Sequence, residues 1–333
     1  MKNEHPEVKF GKTGVLLINL GTPDSTNWWD IRKYLKEFLS DRRVIEVNPF
    51  IWQIILNLFI LTFRPSKTAK AYRKIWMKDK NMSPLRYYTE MQSSKLHNKI
   101  SNKNIVVDFA MRYGNPSIRS KINSLKDLGC ENLIVLPLYP QYAAATTATV
   151  CDEVYRSLSK MRWQPSLQII PHYESDPLYI KAICKSIEDR ISKINWRPDI
   201  IMASYHGIPK KYFDKGDPYH CYCHKTTRLI SENIKTSIPI MTTFQSRFGP
   251  QEWLQPYTDK TLEKLPKEDK KNILVICPGF ASDCVETLEE ISMEGKESFL
   301  GSGGKNFDFV PCLNDNDDHI NLFANLVKKI RIK

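Results

Sequence analysis

Two short segments carry side chains able to move protons or hold a metal. In Ser204-Tyr205-His206-Gly207-Ile208-Pro209 a histidine directly follows an apolar run. Gly207 and Pro209 enforce a turn there, so the imidazole stands at a strand end on a defined loop. An imidazole takes a proton near neutral pH or ligates a metal through one nitrogen. The second segment reads Ala281-Ser282-Asp283-Cys284-Val285-Glu286-Thr287-Leu288-Glu289-Glu290, with Asp283, Glu286 and Glu290 at i, i+3 and i+7. On an α-helix this spacing puts three carboxylates on one face. Their mutual repulsion calls for a cation or for protons. A row of oxygens suits a hydrated divalent ion in transit, and an added imidazole shifts the preference toward iron, cobalt or zinc. Ser282 or Asp283 is the expected cap of this helix. Taken alone, each segment also has a plainer reading: a hydrogen-bonded structural histidine and a solvated acidic face.

Other candidate motifs are weaker. His220-Cys221-Tyr222-Cys223-His224 has metal-ligand residue types. It lacks the two-residue spacing and second ligand pair of a structural zinc site, so no metal is expected there. Gly301-Ser302-Gly303-Gly304 does not open a helix after a strand, and the first strand runs into Asn19-Leu20-Gly21-Thr22-Pro23. No dinucleotide fingerprint is present.

The elements that must position His206 and the acidic segment are written twice. Short apolar runs lie at Gly14–Leu20, Ile105–Met111, Leu133–Leu138 and Leu167–Ile170, and again at Asp199–Ser204, Ile238–Thr243, Asn272–Cys277 and Phe307–Val310. Apolar runs separated by long helical stretches predict parallel strands with crossover helices. The exits of the runs match in order. Met111-Arg112-Tyr113-Gly114 is similar to Ser246-Arg247-Phe248-Gly249, and Pro171 to Asp176 sits like Pro311 to Asn316, about 140 residues later. The expected fold is therefore α/β: two similar Rossmann-like, doubly wound domains, each with a four-stranded parallel sheet flanked by helices. The expected boundary falls near 174–180, giving units 1–175 and 176–333, with a last helix at about 316–331 packing back on the first unit. Ligands in open α/β sheets bind beyond the carboxyl ends of the strands, which brings Tyr139, His206, Arg112, Arg247 and the segment after Pro278 into view together.

Composition narrows the class. With 333 residues, 41% hydrophobic and 11% aromatic, the chain has enough apolar material for two cores. A net charge of +12 favours an anionic small molecule, lipid headgroups or nucleic acid. No basic stripe interleaved with aromatics supports the last. The eight cysteines are scattered, which fits a reducing cytoplasm and not a disulfide framework, and Met1 to Pro6 does not read as a secretory signal. Pro49 to Phe63, PFIWQIILNLFILTF, is fifteen residues long, short of the roughly 20 a spanning helix needs. Arg42, Arg43, Arg64, Lys67 and Lys70 flank it. It reads either as a core helix or as a helix in a membrane interface or pocket lip.

In this order the motifs resemble the ferrochelatase family, which inserts ferrous iron into a porphyrin, and look most like its bacterial, proteobacterial-type members. The matching segments are Leu17 to Pro23, Leu136-Pro137-Leu138-Tyr139-Pro140-Gln141-Tyr142, Ser204 to Pro209, Lys215-Gly216-Asp217-Pro218-Tyr219, Phe244 to Gly249, and Cys277-Pro278-Gly279-Phe280 with its acidic helix. The resemblance implies a chelatase-like fold and insertion of Fe2+ into protoporphyrin IX, the last step of heme biosynthesis. It implies that His206 is the active-site histidine, as iron ligand or acceptor of pyrrole protons, with Glu286 its acidic partner at the metal. Asp283 and Glu290 match a path for metal or protons. Leu20, Met111, Arg112, Tyr113 and Tyr139 match the lining of the substrate pocket, and residues 49–64 match an apolar lip at its mouth. The implied partners are protoporphyrin IX, ferrous iron as substrate, and an anionic membrane touched peripherally at its inner face by a cytoplasmic monomer or homodimer.

Two departures bear on these expectations. Cys284 stands where animal forms have a histidine, so no role carries over to it. Ala144 stands where animal forms have a cysteine ligand, and the chain ends at Lys333 without a cysteine-bearing extension. No permanently bound cofactor, and no [2Fe-2S] cluster, is expected. The rival readings are a coproporphyrin III or other tetrapyrrole chelatase, and a non-catalytic porphyrin carrier. A carrier has no need of the acidic row.

Overall fold

The computed structural model describes residues 8–100 and 102–331. Met1 to Pro6 and the last two residues lie outside them. Eight strands form two all-parallel sheets. The first holds β1 (Lys12–Thr22), β2 (Ile105–Gly114), β3 (Cys130–Pro137) and β4 (Ser166–Ile169), in the order β2-β1-β3-β4. The second holds β5 (Ile200–His206), β6 (Ile240–Gln245), β7 (Asn272–Ile276) and β8 (Asn306–Val310), in the identical order β6-β5-β7-β8. The duplicated sequence pattern is thus a duplicated topology. The continuous apolar runs have a plain cause: a parallel strand is covered on both faces, so consecutive Val15, Leu16, Leu17 and Ile18 are all fully buried.

Helices α1 (Trp28–Leu39), α2 (Pro49–Ile55), α3 (Leu61–Ile75), α4 (Pro84–Ile100), α5 (Ile118–Asp127) and α6 (Thr149–Leu158) belong to the first half. Helix α7 (Pro177–Ile191) follows β4, with Asp176 capping it and Pro177 at its first turn. The second half adds α8 (Lys210–Asp214), α9 (Tyr219–Asn233), α10 (Thr258–Lys264), α11 (Lys296–Gly301) and α12 (Asp317–Arg331). One large core runs between the sheets, from Val15 and Leu136 through α7, β5 and α9 to Leu322 and Phe323 of α12. Separate cores cover the outer faces, with α5 and α6 on the first sheet and α10 and α11 on the second. Helix α12 packs against α4 and α7.

The apolar stretch at 49–63 is no core helix. Helix α2 buries none of its residues, and a π-helical turn, Leu56–Ile60, links it to α3. Phe50, Ile54, Leu58, Phe59 and Phe63 stand exposed on it. Only its inner side, through Leu56 and Leu61, joins a core with α1 and Tyr113.

The halves are tied by side-chain amides and hydroxyls at equivalent places. Gln92 on α4 donates to the carbonyls of Ala281 and Asn314 and to Ser282 Oγ. Thr226 on α9 accepts from Gln141 and donates to the Glu174 carbonyl. Asp217 accepts from the Ala144 N–H of the first half and the Tyr219 N–H of the second. The loop before the lip is held to the second half where Tyr212 Oη bonds Val44 and Glu46.

Candidate active site

His206 is the last residue of β5, beside Gln245 at the end of β6. Glycine is required next, because a Cβ on Gly207 would meet the Gln245 carbonyl at 2.9 Å and the Trp253 ring at 3.2 Å. The Gly207 N–H donates to that same carbonyl. The turn brings the Gly207 carbonyl back to His206 Nδ1, 2.6 Å away. A carbonyl can only accept, so Nδ1 carries a proton, and in the neutral ring Nε2 keeps its lone pair. The half-buried ring offers Nε2 as its one basic atom.

The acidic segment departs from an ordinary α-helix. Glu286–Gly295 is π-helical, continuing into α11. With the wider turn, Glu286 and Glu290, four residues apart, lie nearly above one another. Asp283 is not on the helix. It is buried in the preceding loop, where its carboxylate accepts from Thr287 Oγ1, Asn314 Nδ2 and the Cys312 N–H. The expected face of three carboxylates is therefore a pair, and Asp283 anchors the loop that precedes the pair. Neither Ser282 nor Asp283 caps the helix: Val285 occupies that position, and Ser282 bonds Gln92.

The pair sits against the β6 exit, Glu286 through its backbone carbonyl and Glu290 through its carboxylate. Gln245 Nε2 donates to the Glu286 carbonyl at 2.8 Å, and its Oε1 accepts from Ser204 at 2.7 Å. Glu290 accepts from the backbone and hydroxyl of Ser246, whose φ of +65° turns both toward it. Burial pushes the Glu290 carboxyl above the usual range; the Ser246 hydrogen bonds and His206 partly oppose this, and Glu286 adds to it. These couplings put His206, Glu286 and Glu290 in one electrostatic neighbourhood. Among the described residues no three His, Cys, Asp or Glu are arranged to hold a metal.

The first-half residues differ in kind. Leu20 is half-buried, Met111 is fully buried against Leu85 and Cys284, and Tyr139 lies buried with its hydroxyl unpartnered. The expectation that Arg112 and Tyr113 line the pocket meets polar atoms already engaged: Nε and Nη2 of Arg112 and Oη of Tyr113. Arg112 donates to Asp41 and to Thr149, and Tyr113 Oη donates to Asp41 at 2.9 Å. They brace the end of α1. Arg247, the second-half counterpart of Arg112, pairs with Asp259 and lies over Tyr257, facing α10 and not the β5 exit.

In the sequence Arg64 reads only as a flanking charge, and its place in the fold is unexpected. Its guanidinium lies 4.6 Å over the Phe248 ring, joining the lip to the β6 exit. Its Nη1 is buried without a partner. Burial pushes its pKa down, while Tyr34 and Glu286 act in the other direction. A signal was available in the sequence: no Asp or Glu occurs between Glu46 and Asp79 to pair with it.

Comparison with known proteins decides the family. The ferrochelatase family model matches residues 12–330. The chain belongs to the ferrochelatase family. A ferrochelatase of Allorhizobium ampelinum is 54% identical over 331 residues, covering 99% of this chain and 96% of that protein. One from Agrobacterium fabrum is 52% identical over 98% and 95% of the two chains, and one from Francisella tularensis subsp. novicida is 50% identical over 96% of both. Among solved structures, SirB from Bacillus subtilis with Fe3+ superposes with a TM-score of 0.57 at 13% identity, over 96% of this chain and 95% of that one. That likeness supports the two-sheet chelatase fold. The function is that of a ferrochelatase, an enzyme of heme biosynthesis, and the rival chelatase and carrier readings are not favoured. Among the described residues no helix is long and apolar enough to cross a membrane.

Proposed function

We propose that this ferrochelatase inserts Fe2+ into protoporphyrin IX in the cleft between units 1–175 and 176–333, with His206 as the proton acceptor. Metallation replaces two pyrrole N–H protons by one Fe2+ and releases two H+, so a base beside the macrocycle is needed. The observation that carries this role is the Nδ1–Gly207 hydrogen bond, which leaves Nε2 as the free basic atom. Glu286 faces the same space, receives iron from water and balances the developing imidazolium. Glu290, held by Ser246 and inclined by burial to keep a proton, passes protons from Glu286 outward and admits iron inward. Asp283 contributes to that path by fixing the loop, since its oxygens are already bonded.

The porphyrin is flat, apolar and dianionic at its propionates. Leu20 supplies apolar wall, the buried Met111 and Tyr139 back it from behind, Arg112 and Tyr113 brace it, and the unpaired Arg64 guanidinium receives a propionate. A rigid cleft that fits a puckered ring better than a flat one favours the transition state. The exposed lip, with its basic flanks, touches an anionic membrane from which an apolar porphyrin is taken.

The test is a steady-state assay of purified protein with ferrous iron, offering protoporphyrin IX and coproporphyrin III separately. Turnover with protoporphyrin is expected. Turnover with coproporphyrin alone would overturn the substrate assignment.

A further inference from the structure

The segment His220 to His224 has no part in the reaction as described, and its geometry is not what its cysteines suggest. Cys221 is exposed and Cys223 fully buried on α9, so the two thiols point apart. The histidines do the opposite. At i and i+4 they share one helical face, with ring centroids 4.4 Å apart and planes tilted by 49°. Two imidazoles bound cis to one ion, with nitrogens at about 2.1 Å, place their centroids roughly 4.5 Å apart.

Three further observations support a ligand role. No polar side chain among the described residues bonds either ring. Burial pushes the His220 pKa down; it does the same to His224, where the charge of His220 adds to the effect. Both rings are thus neutral at neutral pH, the form that ligates. Aromatic contacts with Phe213 and Phe244 hold the His220 ring in place.

The position excludes the catalytic centre. Phe244, under His220, pairs with Tyr205, while Gln245 pairs with His206. Successive strand residues face opposite sides of a sheet, so the His220–His224 pair lies on the face of β6 turned away from Gln245.

We propose that His220 and His224 form a second, labile site for a divalent transition metal of the nickel, copper or zinc class, separate from the iron that is inserted. Imidazole suits these ions, and Fe2+ ranks below them. Two protein ligands completed by water make an exchangeable site. Its position near the amino end of α9 opposes a cation slightly, and the Asp217 carboxylate at that end offsets this.

The test is a Ni2+ titration by calorimetry of wild type, His220→Gln, His224→Gln and Cys221→Ser. Both histidine variants should bind one Ni2+ fewer per chain while iron insertion without nickel is unchanged, and Cys221→Ser should match wild type. Copper spectra of the unaltered protein add a check that needs no variant, with superhyperfine splitting from two nitrogens expected. Unchanged stoichiometry in the histidine variants, a loss reproduced by Cys221→Ser, or single-nitrogen copper coordination would each overturn the proposal.

Discussion

The two sheets have the same strand order, yet their carboxyl ends do opposite work. At the first, the charged group is tied up: Arg112 is held by Asp41 and Thr149, and Tyr113 bonds the same Asp41, leaving only the uncharged Tyr139 hydroxyl among these residues without a partner. At the second, His206 has a free Nε2, and Glu290 carries a carboxyl that burial inclines toward protonation. A duplicated frame thus yields one wall and one reactive face. The difference is a matter of side-chain satisfaction. A charge whose hydrogen bonds are all made is support, whereas an accessible lone pair at a strand exit is available for chemistry. The lip adds Arg64, whose buried Nη1 has no partner.

Substitutions can break or sharpen this contrast. The largest effect belongs to His206→Ala, which should lower iron insertion by about 10²–10⁴-fold with porphyrin affinity near wild type. Insertion rate and porphyrin fluorescence titration check it together. Next is Glu286→Gln, with an expected loss of kcat of about 100-fold and an unchanged circular dichroism spectrum. Arg64→Met should act on binding, raising KM for porphyrin by about tenfold with a smaller change in kcat. If kcat falls and KM does not, Arg64 is not a propionate receptor.

The contrast extends to the two joints between the halves. At Glu174, burial would raise the carboxyl, but hydrogen bonds from His172 and Lys225 outweigh it and hold the group below its usual range. At the equivalent Asn314 the network contains His319, whose Nδ1 donates to the Asn314 carbonyl while Nε2 is buried unpaired. Burial pushes His319 down to about 4 from 6.5. The unfolded chain therefore binds this proton first as pH falls, so folding stability drops between pH 6.5 and about 4. The loss is about 3 kcal/mol in all. Urea titrations across that range should show it, and His319→Gln should flatten it. The smallest effect is at the lip: Phe63→Glu should weaken association with anionic liposomes while leaving insertion in detergent intact. Unchanged liposome binding would remove the membrane role.

The strands were readable in the sequence because burial on both faces writes continuous apolar runs, and Val15 to Ile18 are such a run. His206 was readable because Gly207 and Pro209 mark its turn. The acidic segment was only half readable. Positions i, i+3 and i+7 assume 3.6 residues per turn, and neither the π-helix nor the turn out of the helix at Asp283 changes residue types. Arg64 acquires its place from Phe248, far away in sequence, and Arg112 is tied up by Asp41; pairings made only by folding leave no local pattern.

The reactive face of the second sheet is tested most directly by chemical rescue. With porphyrin bound to the His206→Ala protein, single-turnover insertion of Fe2+ is followed as imidazole is added. Insertion should be nearly absent without imidazole and should rise with the concentration of its neutral form. Near-normal insertion by His206→Ala without imidazole would contradict the account.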